Sequence, residues 1–249
     1  MTSAPVAADV ARAMDELGDP ARALELRRFF KTGPGEYGEG DVFIGVPVPQ
    51  TRKVAKRFSA LPISEIAELL RSPVHEHRLA ALVIANNAMA KAGKRRTYDV
   101  AAQQKIVDMY LAAVRGGRVN NWDLVDVSAE NILGPWLLER PRDLLDELAR
   151  SDSLWERRVA LLTTFAFIKA GDASTTFALC EQLLDDRRDL IQKAVGWMLR
   201  EVGKRVDRAL LIEFLDRRAH DMGRTALSYA TEHLEPEARA AYRAQRQAS

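Results

Sequence analysis

At 249 residues with 47% hydrophobic side chains, the chain can bury a substantial core, which excludes wholesale disorder and predicts one domain, or one continuous array, over residues 1–249. Its formal charge of +2, from 37 basic against 35 acidic side chains, does not by itself announce a nucleic-acid binder, so attraction for a polyanion would have to come from clustering. The single cysteine, Cys180, excludes an internal disulfide and, within the apolar run Phe177 to Leu184, reads as buried filler in a reducing compartment.

The first residues lack the basic start and apolar run of a secretory signal, and no segment approaches the ~20 uninterrupted apolar residues of a membrane span. The expectation is a soluble, cytoplasmic monomer with no membrane partner. Residues 1–20 read as peripheral, and a helical stretch runs from Leu24 to Phe30. Gly33 to Pro49 follows as the one long non-helical insertion, headed by Gly33-Pro34-Gly35-Glu36-Tyr37-Gly38. That run satisfies the glycine spacing of a dinucleotide fingerprint, but it follows a helix where the fingerprint requires a strand, and it is acidic. A loop packed on the first hairpin is the expectation, with no cofactor.

Beyond residue 50, apolar residues recur at three and four spacings and strand-like alternation is scarce, so the fold class is all-α. Helices are predicted over Ile63 to Leu70, Leu79 to Met89, Ile106 to Val114, Leu144 to Leu148, Val159 to Ile168, Phe177 to Leu184, Leu190 to Val202 and Leu210 to Leu215. Pro62, Pro73, Gly93, Gly116-Gly117, Gly134-Pro135, Gly171, Gly203 and Gly223 are read as breaks. Residues 240–249 read as peripheral. An arginine precedes a small and apolar run at Arg78, Arg158 and Arg224, and the Trp155 to Trp197 spacing, 197 − 155 = 42, falls in the roughly 40–47 residues of HEAT or armadillo units. Other recurrences do not divide evenly. The architecture expected is therefore an irregular solenoid of HEAT-like helical hairpins, whose second helices line a concave, DNA-binding face.

The four histidines, His75, His77, His220 and His233, lack the spacing or cysteine company of a zinc site and read as surface or helix-start residues; no metal is expected. No nucleophile elbow or reactive-cysteine context is present. Basic residues cluster at Arg27, Arg28 and Lys31; at Arg52, Lys53, Lys56 and Arg57; at Lys94 to Arg96; at Arg187, Arg188 and Lys193; and at Arg200, Lys204 and Arg205. Recurring beside successive hairpins, they would form a phosphate-tracking stripe.

Three tryptophans stand one turn before a charge: Trp122 before Asp126, Trp155 before Arg158, Trp197 before Arg200. Trp122 lies among Asn120, Asn121, Asp123 and Asp126, a polarity that a fully buried helix would not tolerate. Trp197 follows Gly196, which is costly in a helix unless something approaches closely. Trp136, between Pro135 and Leu137, reads as core, and Trp155 as a support that aims Arg158.

On these residues the chain resembles the AlkD-like DNA alkylation repair family of HEAT-like DNA glycosylases. The resemblance rests on Phe29 to Asp41, Asn120 to Asp126, Leu154 to Arg158 and Ile191 to Glu201, in consistent order. It implies Asp126 as the catalytic aspartate, Trp122 and Trp197 as the tryptophans flanking the lesion, Arg158 as the active-site arginine and Arg200 as a DNA contact. Phe29 stands where some relatives carry tyrosine. Lys31, Lys193, Lys204 and Arg205 are added as DNA-binding candidates from the basic clusters. The implied activity is excision of positively charged N3- and N7-alkylpurines from double-stranded DNA. The alternative is a non-catalytic HEAT-like module that binds DNA or protein.

Overall fold

The computed structural model describes residues 4–247. Among them the secondary structure is helical, apart from an isolated parallel bridge between Val42 and Val74. No described helix is long and apolar enough to cross a membrane. The chain divides into two compact units, residues 1–132 and 133–249.

The first unit contains α1 (Ala7–Asp15), α2 (Pro20–Phe29), α3 (Val48–Arg57), α4 (Ile63–Leu70), α5 (His75–Ala92), α6 (Val100–Arg115) and the first turns of α7 (Trp122–Leu137). Helix α5 packs against α1, α3, α4 and α6. Its run Leu79 to Ala85 is buried on every side, the pattern of a helix inside a core. Helix α2 starts where Pro20 follows Asp19, whose carboxylate accepts the amide protons of Ala21 and Arg22.

The four polar residues opening α5, His75, Glu76, His77 and Arg78, are also buried, so the two histidines are helix-start residues, one of the two expected readings, and are not on the surface. They are buried because each has partners. Glu76 accepts the amide protons of Ile44 and Gly45. His77 bonds Ser72 and Asp15. Arg78 donates to the carbonyls of Ser72 and Pro73 as well as to Asp41 and Asn120.

The second unit holds α8 (Asp143–Arg150), α9 (Leu154–Lys169), α10 (Ser174–Gln182), α11 (Asp189–Arg205), α12 (Arg208–Arg218), α13 (Arg224–Ala230) and α14 (Pro236–Gln247). Helices α9, α11 and α13 pack in succession, with α8 and α10 against α9 and with α10 and α12 against α11. Stacked helical pairs are what the spacing predicted. The arginine that heads each apolar run has a shared explanation in two cases. Arg78 donates to carbonyls just before α5, and Arg158 donates to the carbonyl of Leu190 at the start of α11, whereas Arg224 is exposed.

Two predicted breaks are not breaks. Gly134 and Pro135 lie inside α7, and Gly203 lies inside α11. Both glycines serve packing: a Cβ on Gly134 would stand 2.4 Å from the Cβ of Ala166, and one on Gly203 would stand 2.5 Å from a methyl of Leu211. Gly196 is the same case, since its missing Cβ leaves room for the carbonyl of Ala226 at 2.4 Å and the Cβ of Tyr229 at 2.5 Å. The close approach inferred from Gly196 is thus made by α13. Cys180 is fully buried as expected, while Trp136 is only half-buried, its face covered by the Arg140 guanidinium 3.7 Å from the ring centre.

Candidate functional site

The start of α7 is fixed by short side chains. Asn121 Oδ1 accepts the Trp122 amide proton and Asp123 Oδ1 accepts that of Leu124, satisfying donors that a helix N-terminus leaves open. Trp122 and Asp126, four residues apart, share one face of the helix and line a cavity of about 470 Å³ together with Leu26, Phe29, Phe30, Phe43 and His75. Arg22 and Arg52 add cations to the lining. Behind Asp126, the buried Tyr110 hydroxyl bonds Ser128 at 3.0 Å. Burial holds its pKa above the usual phenol range, with the Asp126 charge adding to that.

The aromatic wall is continuous. The Trp122 indole stacks on Phe30 with centroids 5.3 Å apart, Phe30 stacks on Phe43 at 5.0 Å, and Phe43 stacks on the His75 imidazole at 4.5 Å. Phe29 presents its edge to both Phe30 and Trp122 and remains 63% exposed, so it forms the rim.

His75 closes the floor. Its Nε2 lies 2.8 Å from Asp123 Oδ2 and its Nδ1 lies 3.2 Å from Asp41 Oδ2. Burial works against charging this ring, but the Asp123 charge and the hydrogen bonds to Asp123 and Asp41 prevail over it and over Arg78, raising the pKa to about 9. Asp41 is the converse: burial raises its pKa, but the His75 hydrogen bond, the Arg78 charge and Asn120 bring it down to about 2. At neutral pH the cluster is two carboxylates facing an imidazolium and a guanidinium.

Asp41 and Phe43 come from the segment between α2 and α3. The loop expected only to pack on the first hairpin therefore supplies an anion, which also accepts from Asn120 and Asn121, and one plate of the aromatic stack. Gly38 and Gly45 let it lie close: a Cβ would be 2.5 Å from the Phe30 carbonyl at Gly38 and 2.1 Å from the Asp19 carbonyl at Gly45, where φ is +86°. Sequence reasoning passed over His75, because its partners are 34 and 48 residues away and no local spacing signals them.

The cavity brings together Asp126, Trp122 and Phe29 among the predicted site residues. Lys31 lies just beyond α2, its ammonium 5.9 Å from the Tyr37 ring centre. The remaining six belong to the second unit. Arg158 is 4% exposed, its guanidinium bound to the Leu190 carbonyl, and Lys193 pairs with Asp189 at 2.8 Å. Trp197 is half-buried, 6.0 Å from Phe165, whose ring also meets Lys169 at 4.5 Å and the Arg205 guanidinium at 5.2 Å. Arg200 is held between Glu201 and Glu232, and Arg205 bonds Glu201 at 2.7 Å. Burial raises the Glu201 pKa, but the bonds to Arg205 and Arg200 outweigh it and keep the carboxyl below its ordinary range. Lys204 lines a second cavity, of about 290 Å³, with Arg200, Arg208 and His233.

An all-helical chain with a carboxylate and an indole one turn apart in an aromatic cavity matches the DNA alkylation repair enzyme family over residues 10–234. The chain belongs to that family. Its fold is shared by a solved structure described as a predicted DNA alkylation repair enzyme from Enterococcus faecalis, at 17% identity and a TM-score of 0.66, over 88% of this chain and 97% of that one. No curated protein matches the sequence significantly.

Proposed function

We propose that the chain is a monofunctional DNA glycosylase that hydrolyses the N-glycosidic bond of positively charged N3- and N7-alkylpurines in double-stranded DNA, opening base excision repair. The observation that carries this reading is the Asp126 carboxylate beside the Trp122 indole on one helix face of the cavity. An alkylated purine cation takes the electron pair of its breaking bond to C1′ and leaves as a neutral base, so it needs no proton. The site fits that economy. His75, whose protonated imidazole lies in the cavity wall, directs its two N–H protons at Asp41 and Asp123.

Breaking the bond leaves oxocarbenium character on the sugar, which a carboxylate stabilises while it orients water and accepts the proton that the water loses on bonding to C1′. Asp126 takes that part. The faces of Trp122 and Trp197 are electron-rich and each adds about 0.5–2 kcal/mol against the sugar cation or the strained backbone. Arg200, Lys193, Lys204, Arg205, Lys31 and Phe29 serve the duplex. The buried Arg158, bound to the carbonyl at the start of α11, serves it through the helix that carries Trp197.

The test compares release of N7-methylguanine and of uncharged hypoxanthine from duplex DNA by the wild type and by Asp126→Asn. Release of the cationic base alone, lost in the variant, is expected. Equal release of both bases, or full activity in the variant, would overturn the assignment; tight binding to damaged duplex with no base release would favour a non-catalytic binder.

A further inference from the structure

We propose that His75 is a positioning residue for the reactive face of α7, and that the loop between α2 and α3 serves the site by holding His75 through Asp41. The inference rests on the glycosylase reading for its consequence, but not for its geometry.

His75 reaches Trp122 by two routes. Through hydrogen bonds it holds Asp123, the residue after Trp122, whose other oxygen fixes the Leu124 amide in the first turn of α7. Through ring contacts it stacks on Phe43 at 4.5 Å and touches Phe30 at 5.0 Å, the ring that backs the Trp122 indole. Backbone and side chain of Trp122 are thus both referred to one imidazole. Asp126 follows one turn later on the same helix, so a shift of the first turn displaces the carboxylate with the indole.

The groups facing His75 are Asp41 from the loop, Asp123 from α7 and Arg78 from its own helix, while neighbouring Glu76 turns to the amides of Ile44 and Gly45. An imidazolium donates to both carboxylates at once; a neutral imidazole has one N–H and loses one of the two bonds. The cluster is therefore intact while His75 is charged, and it opens on one side as pH rises through about 9. A residue that only filled space would not couple the position of Trp122 to pH.

The experiment pairs single-turnover release of N7-methylguanine with fluorine NMR of protein labelled with 5-fluorotryptophan, the Trp122 signal being assigned with Trp122→Phe. In the wild type both the rate and the Trp122 signal should change between pH 8 and 10. His75→Gln should lose on the order of 10- to 100-fold in rate, as small misplacements of reacting groups do, with DNA affinity unchanged and with both alkaline transitions gone. If His75→Gln does not fold, Asp123→Asn, which keeps an acceptor for the Leu124 amide, should show the same losses. Folded variants with the wild-type rate and pH profile, or a wild-type Trp122 signal that ignores pH, would overturn the proposal. A wild type that releases no base would overturn the glycosylase reading alone, leaving the fluorine titration to decide the positioning role.

Discussion

His75 Nε2 stands 2.8 Å from Asp123 Oδ2, tying the first residue of α5 to the first turn of α7. The same imidazole stacks on Phe43 and touches Phe30 in the aromatic wall, and the strength of its bond to Asp123 depends on charge.

The sign of that dependence follows from the two shifted groups. His75 titrates near 9 in the fold against 6.5 in the open chain, so its stabilisation, on the order of 3 kcal/mol, is complete below pH 6.5 and is lost as pH rises through 9. Asp41 titrates near 2 against 3.8, so its contribution is complete above pH 3.8 and is lost as pH falls through 2. Urea unfolding from pH 3 to 10 should show a plateau between about pH 4 and 6.5. In His75→Gln the alkaline decline should flatten.

Removing one buried charge should cost more than any surface change. Asp41→Ala leaves the His75 imidazolium and the Arg78 guanidinium facing each other, and the expected loss is about 3–5 kcal/mol, read from the denaturation midpoint. A loss below about 1 kcal/mol would mean that water enters and screens the pair.

Gly196→Ala tests the packing of α11 on α13. The added methyl would sit 2.4 Å from the Ala226 carbonyl, so the helices must separate, at about 1–3 kcal/mol or more despite alanine's better helix propensity. A melting temperature that rises would show that α13 yields freely.

The duplex contact assigned to Lys204 predicts a change in salt response. Lys204→Ala should weaken binding to any duplex sequence and reduce the slope of log affinity against log salt by about 1. An unchanged slope would remove Lys204 from the interface.

Helices were legible wherever periodicity alone decides them, as at α4, whose bounds Ile63–Leu70 coincide with the predicted segment. The glycines at 134 and 203 were misread because a glycine that ends a helix and one that admits a neighbouring helix look alike in sequence. Their neighbours, Ala166 and Leu211, are known only once the chain is folded. Likewise, Trp122 and Asp126 announce themselves by a four-residue spacing, whereas Asp41, His75 and Asp123 share no spacing and meet only through the tertiary structure.

The charges of Asp41, His75, Arg78 and Asp123 cancel inside the first unit, and this constrains how the sequence can drift. A lineage that lost Asp41, or the whole loop carrying it, would inherit surplus positive charge in a dry place until His75 or Arg78 changed as well. Substitutions at these positions should therefore arrive in compensating pairs, and the loop between α2 and α3 should have been gained or lost together with the histidine that opens α5.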